Sequence, residues 1–308
     1  MTSPPVLVIA GPTATGKTAA AIALAEHFGG ELVGADSVQV YRGFDIGSAK
    51  LTAAELGTVR HHLIDVIDPD EEIDAAAYAA LADRAIEGIR ERGRLPIVVG
   101  GTGLWIRALL RGLVEVPPVD PDLRKRLEAN AHAEGTEALH TRLAAIDPLT
   151  AEAVHPNDLV RIVRALEVYE QTGVPLGELR EEHALGEPRY QAMFVVLDLD
   201  RERHTAVVTA RVQAMLDAGW VDEVRALRQR WGDEVRPLGS VGYREVLAHI
   251  RDGVPLEKTQ RLIRKSTRTY ARRQRTWFKG EPGVSWLSES AHLVEQGGRE
   301  RIARKLGL

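Results

Sequence analysis

Three short stretches of this sequence hold residue types at spacings that can do chemistry. In the first, Gly11, Gly16, Lys17 and Thr18 of "GPTATGKT" fit G-x-x-x-x-G-K-[ST], after an apolar run at 6–10 and before an alanine-rich helical pattern. A glycine-rich turn feeding a helix N-terminus aims several backbone N–H groups at one point, where the helix dipole also favours an anion. The turn residues Pro12, Thr13, Ala14 and Thr15 complete the cradle, Lys17 adds a point charge, and Thr18 offers a hydroxyl to Mg²⁺. Strand, turn, Lys-Thr and helix agree, so the stretch reads as a polyphosphate site rather than a chance turn.

In the second, "GADSVQVYRGFDIGSAK", Asp36 and Ser37 follow directly on an apolar strand pattern. That places them at the carboxyl edge of a sheet, where ligands bind in open α/β folds. A short carboxylate there can accept a proton from a nucleophile or reach Mg²⁺ through water. The alternative for Asp36 is a turn cap with no chemical role. In the third, "VVGGTGLWIRALLRG", the order of strand, glycine turn and helix recurs, with Gly100, Gly101 and Gly103 around Thr102. Thr102 is either a ligand-facing hydroxyl or the N-cap of the helix that holds Trp105.

These residues need a scaffold, and the rest of the chain supplies one. Apolar runs at 6–10, 31–35, 62–65 and 97–99 read as buried strands separated by helical patterns such as 75–92. Such alternation predicts an α/β fold, a P-loop-type parallel sheet. The Pro-rich stretch 112–123 marks a boundary, and 118–192 reads as an all-helical insertion. Strands are expected again at 194–200 and 284–287, with helices at 203–218, 221–230, 243–251 and 256–277. The catalytic core is therefore assigned to 1–117 and 193–308.

With no cysteine among 308 residues there is no disulfide, thiolate zinc site or cysteine nucleophile, and any metal would be held by oxygen. No apolar run reaches membrane-spanning length and no basic leader opens the chain, so a cytoplasmic monomer is expected. Net charge is −4, but residues 258–279 hold nine Lys or Arg and no acid, leaving 31 basic against 44 acidic side chains elsewhere. Arg261, Arg264, Lys265, Arg268, Arg272 and Arg275 recur at spacings of three and four, with Tyr270, Trp277 and Phe278 interleaved. A solvated face would carry acids at i±4 to neutralise such a stripe. The stripe instead fits RNA phosphates and stacked bases.

An ATP-dependent P-loop enzyme would normally end a strand in an Asp that holds Mg²⁺. Here the strand at 97–99 ends in glycine, which leaves Asp65 as the fallback and weakens a kinase or ATPase reading.

Taken together, "GPTATGKT", "DSVQVYRGFDIGSAK", "HHLIDVIDP", "VGGTGLW", "HPNDLVRIVRALEV", "VGYRE" and "RRQRTWFKG" resemble the bacterial tRNA dimethylallyltransferases, also called tRNA isopentenyltransferases, over most of the chain. The resemblance implies transfer of a dimethylallyl group from dimethylallyl diphosphate to N6 of the adenosine 3′ of a tRNA anticodon, with Mg²⁺ and release of diphosphate. It implies Asp36 as catalytic base, Thr102 at the tRNA-facing end of a channel, and Lys17 and Arg225 on the diphosphate. It implies tRNA contacts from Asp36, Ser37, Val38 and Gln39, from Arg124, and from Val160, Arg161, Ile162, Val163 and Arg164. Further contacts would come from Gly239, Ser240, Val241, Gly242, Tyr243 and Arg244, and from Arg272, Arg273, Gln274, Arg275, Thr276, Trp277, Phe278 and Lys279. Departures are small, such as Thr where Ser is common in "TATGKT", and the absence of a zinc-finger extension after Leu308 fits a bacterial-type enzyme. The rivals are a small-molecule P-loop kinase, a prenyltransferase for free adenine nucleotides, and a non-catalytic RNA-binding protein.

Overall fold

A computed structural model describes residues 5–184 and 188–308. Six strands form one sheet: β1 (Pro5–Ala10), β2 (Glu31–Ala35), β3 (His61–His62), β4 (Pro96–Gly100), β5 (Gln191–Leu197) and β6 (Val284–Leu287). Their order is β3-β2-β4-β1-β5-β6, and every pairing is parallel. Parallel strands are covered on both faces, which is why β1 and β4 read as unbroken Val, Ile and Leu rather than as alternation. The helix Lys17–Phe28 lies against the sheet through Leu24 and through Ala20, Ala21 and Ala25, whose small side chains allow close approach. Ile302 and Leu306 of the last helix, Gln296–Leu306, join the same core.

Strand register decides where the chemistry sits. Gly100 pairs with Ala10 on one side and with Ala35 on the other. The turns that begin at Gly11, Asp36 and Gly101 therefore leave the sheet side by side at its carboxyl edge.

The sequence expectation for β3 was too long. Leu63 and Asp65 take left-handed backbone, with φ of 61° and 55°, which ends the strand after His62. The fifth strand begins three residues earlier than expected, at Gln191.

The chain divides into Met1–Gly112 with Pro188–Leu308, and Leu113–Glu187. These boundaries lie about five residues before the expected 118 and 192, for reasons visible in the contacts. Arg189 belongs with the sheet, donating to Asp83 and to the carbonyl of Leu109. Pro117 belongs with the helices, accepting from Arg164 Nη2 at 2.7 Å. Residues 185–187 of the expected insertion lie outside the described residues.

The second unit is helical, with Leu127, Leu143, Ile162 and Leu166 in its core. Fully buried Glu167 accepts from Asp120 N–H, Arg124 and Arg164. Burial would raise its pKa, but these partners outweigh it and hold the carboxyl below the usual range.

Candidate active site

The phosphate cradle is built from backbone that few side chains tolerate. Gly11 has φ 140°, and a Cβ there would stand 2.1 Å from the carbonyl oxygen of Leu197. Gly16, at φ 81°, is the N-cap of the helix Lys17–Phe28 and supplies no side-chain cap. The first N–H groups of that helix stay available to an anion. Lys17 Nζ donates to the carbonyl of Pro12 at 2.6 Å, and Thr15 Oγ1 donates to the same oxygen at 3.0 Å.

Gln274 laces this cradle to the neighbouring glycine turn. Its Oε1 accepts from Thr13 N–H at 2.9 Å and its Nε2 donates to the carbonyl of Gly101 at 2.9 Å. A Cβ on Gly101 would strike that amide at 2.2 Å, so the glycine is required by Gln274 itself. Asp36 closes the third side. Its Oδ1 accepts from Val38 and Gln39 N–H, while Oδ2 has no protein partner among the described residues. Asp36 is thus a turn cap and a free carboxylate oxygen at once. Thr102 occupies the N-cap position of the helix Gly103–Arg111 without capping it, and instead accepts from Ser37 N–H at 3.1 Å.

Lys17, Thr18, Asp36, Arg211, Tyr270 and Arg273 line one cavity of about 390 Å³. Arg211 has no ion-pair partner among the described residues. Burial lowers its pKa, with Asp36 pulling the other way. Burial, and then the charge of Arg211, bring Lys17 down to about 7. Lys17 and Arg211 are both half-buried on the wall of this cavity, with Asp36 the acid that acts on each, so the wall carries the positive charge that suits an anionic ligand. Tyr270, its hydroxyl between Thr102 and Gln274, is raised above its ordinary pKa by burial and then by Asp36, and so stays protonated.

Several sequence assignments change place here. Arg225 is exposed and paired with Asp222 at 2.6 Å, outside the cavity, whereas Arg211 lines the cavity beside Lys17. The signal was present in "HTAVVTARV": Arg211 falls at helical spacing with buried His204, Val208 and Val212, a cation in an apolar stripe. Asp65, the fallback metal ligand, is tied to Lys50 at 2.5 Å and does not line the cavity. Ile162 and Val163 are buried in the core of the helical unit, and Phe278 packs against Phe194, so none of the three presents a surface to RNA. Gln274 spends both ends of its amide on the two turns, and Arg275 is paired with Asp198.

Gly242, also assigned to RNA, is buried against Trp220 and does not line the cavity. Most of the remaining assigned positions are accessible or line the cavity. Ser37, Val38, Gln39, Gly239, Ser240, Val241, Tyr243 and Arg244 do the latter. In the helical unit Val160 is 77 % exposed and Arg161 is exposed, while Arg124 and Arg164 are engaged with Glu167. The long basic helix, Leu256–Lys279, presents two faces. Ile263, Thr267, Tyr270 and Gln274 meet the cavity, and Lys265, Arg268, Arg272 and Arg275 line a second groove of about 800 Å³ together with Arg201 and His204. Arg272, Arg273, Thr276 and Lys279 are exposed. The ring of Trp277 lies under Arg107, 4.3 Å from the guanidinium.

A parallel sheet with an anion cradle and a free carboxylate on one wall of the same cavity defines a P-loop-like group-transfer fold. The sequence matches the IPP transferase family over residues 39–281, and the chain belongs to that family. The tRNA dimethylallyltransferase of Anaeromyxobacter dehalogenans (strain 2CP-1) is 52 % identical over 289 residues, 94 % of each chain. That of Sorangium cellulosum is 50 % identical over 275 residues, 89 % of this chain and 88 % of the other. The crystal structure of the tRNA isopentenylpyrophosphate transferase of Bacillus halodurans superposes with a TM-score of 0.72 at 36 % identity, covering 98 % and 97 % of the two chains. A eukaryotic dimethylallyltransferase acting on tRNA superposes with a TM-score of 0.79 at 28 % identity, covering 98 % of this chain and 78 % of the other. Among the described residues no helix is long and apolar enough to cross a membrane.

Proposed function

We propose that this chain transfers the dimethylallyl group of dimethylallyl diphosphate to N6 of an adenosine next to the anticodon of tRNA, releasing diphosphate. The reading rests above all on one cavity whose wall carries Lys17 and Arg211, both half-buried, together with Asp36, whose Oδ2 has no protein partner among the described residues. In the step, the allylic C–O bond breaks and its electron pair leaves with the diphosphate. A C–N bond forms at N6, and the N6 proton passes to Asp36. Negative charge grows on the leaving diphosphate, which the helix N-terminus, Lys17 and Arg211 stabilise. The adenine amine is out of reach inside a stacked loop, so the base must turn out into the cavity.

Mg²⁺ fits as a partner of the substrate rather than of the protein alone. No cluster of three or more His, Asp or Glu among the described residues forms a metal cage. Thr18 and Asp36 line the same cavity and offer one hydroxyl and one carboxylate, the latter through water. Mg²⁺ commonly keeps waters and binds through one or two protein oxygens plus phosphate. When bound it would supply charge neutralisation to the diphosphate.

Arg201, Lys265, Arg268 and Arg272 of the second groove, which have no ion-pair partner among the described residues, favour RNA over free adenine nucleotides as the acceptor, since neither reaction at a small nucleotide nor ATP chemistry requires them. Incubation with radiolabelled dimethylallyl diphosphate and either unmodified tRNA or AMP tests the reading. Label is expected in the tRNA; label in AMP alone, or in neither, would contradict it.

A further inference from the structure

Glu223 has no role in the sequence reading, yet its one carboxylate gathers four hydrogen bonds. Its Oε2 accepts from the N–H groups of Asp45 at 3.0 Å and Ile46 at 2.5 Å. Its Oε1 accepts from Gly47 N–H at 3.2 Å and from the hydroxyl of Tyr243 at 2.8 Å. Three consecutive backbone N–H groups converging on one anion form a concave donor set whose natural occupant is a fixed charge. Asp45, Ile46 and Gly47 belong to the segment that starts at Asp36, and that segment is closed on itself because Gln39 Nε2 donates to the carbonyl of Ser48 at 2.9 Å. Tyr243 belongs to the other cavity-lining segment, residues 239–244.

The packing around Trp220, one turn before Glu223, repeats the connection. A Cβ on Gly47 would stand 2.0 Å from Trp220 Nε1, and one on Gly242 2.3 Å from its Cη2. Both segments therefore close onto the start of the helix Trp220–Trp231, each through a glycine, and both hydrogen-bond to Glu223.

We propose that Glu223 is a positioning residue that fixes the Asp36 segment and the 239–244 segment relative to each other, setting the geometry in which the RNA base meets Asp36. The proposal rests on the transfer reaction proposed above. Glu223 touches neither the cradle nor Lys17, so its role separates from diphosphate binding. Glu223→Gln keeps the volume but replaces one acceptor oxygen with an NH₂ that faces donors.

The test uses the full chain. Steady-state transfer to an anticodon stem-loop RNA, affinity for inorganic diphosphate, and hydrogen exchange of the 36–49 peptides are compared between wild type and Glu223→Gln. The expected result is kcat/KM for RNA lower by roughly tenfold to a hundredfold, as for reacting groups misplaced by about 1 Å. Diphosphate affinity should change less than about twofold, and peptides from 36–49 should exchange faster while the rest of the sheet does not. Tyr243→Phe, which keeps the three backbone bonds, should leave exchange of 36–49 unchanged. The proposal is overturned by normal kcat/KM, by unchanged exchange in 36–49, by a parallel loss of diphosphate affinity, or by a Glu223→Gln chain that does not fold. Absence of transfer by the wild type would refute the proposed reaction instead, and the exchange comparison would still judge Glu223.

Discussion

Ser37 N–H donates to Thr102 Oγ1 at 3.1 Å across 65 positions of sequence, joining the turn that carries Asp36 to the glycine turn that follows β4. Thr102 N–H returns the contact to the carbonyl of Ala35 at 3.1 Å. The carboxylate of Asp36 is thus held from two directions, by its own cap onto Val38 and Gln39 and by the neighbouring strand's loop.

Thr102→Val keeps the shape and removes the acceptor, leaving Ser37 N–H without its partner. A donor stranded in this way costs about 1–3 kcal/mol. The thermal midpoint should fall accordingly, and the transfer rate should drop by about tenfold as Asp36 loses its register. Calorimetry and single-turnover kinetics on the same preparation check both.

Arg211→Met should weaken diphosphate binding by roughly tenfold to a hundredfold, the worth of a hydrogen bond to a charged group at about 1.5–3 kcal/mol. Arg225→Met should leave it within about twofold, because Arg225 is exposed and paired with Asp222. Titration calorimetry with diphosphate separates the two. Equal losses would mean that the cavity has been assigned to the wrong arginine.

Lys17 makes diphosphate binding depend on pH. Free Lys17 titrates at about 7, well below its ordinary value, because it is buried and next to Arg211. A bound anion favours the charged form and raises that pKa, so binding takes up a proton once the pH exceeds about 7. Affinity should therefore fall as pH rises through 7 to 9, by up to about tenfold per unit. Calorimetry in buffers of different ionisation enthalpy should report proton uptake near pH 8, and Lys17→Met should abolish it.

The sheet was legible because its strands are buried on both faces and so print as continuous apolar runs, as in "VLVIA" and "IVVG". The cradle was legible because its glycines answer to local backbone demands at Gly11 and Gly16. What the pattern could not show was set by contacts distant in sequence. "VDEVRAL" offers Arg225 and Glu223 two residues apart, and only the packing against residues 45–47 and Tyr243 separates an exposed arginine from a half-buried organising carboxylate. The basic stripe was read correctly as one helix face, but spacing alone could not reveal that Tyr270 and Gln274 on the opposite face belong to the cavity.

That stripe gives a salt-dependent prediction. If Arg268 and Arg272, side by side in the second groove, neutralise RNA phosphates, cations released from the RNA oppose binding by mass action. Arg268→Glu with Arg272→Glu should lower RNA affinity and flatten log affinity against log salt by about one unit per lost contact. Diphosphate affinity should hold, and a pair of unchanged salt slopes would assign the groove to solvent.

The most direct measurement is single-turnover transfer from dimethylallyl diphosphate to an anticodon stem-loop RNA, comparing wild type with Asp36→Asn at saturating concentrations of both substrates. Asparagine keeps the cap onto Val38 and Gln39 through its amide oxygen but cannot take the N6 proton. General-base catalysis is worth about 10²–10⁴ in rate, and a loss of that size, with both substrates still bound and the prenyl group found on adenine N6 in the wild type, is the expected result. A near-normal rate for Asp36→Asn, or label on any atom other than N6, would contradict the account.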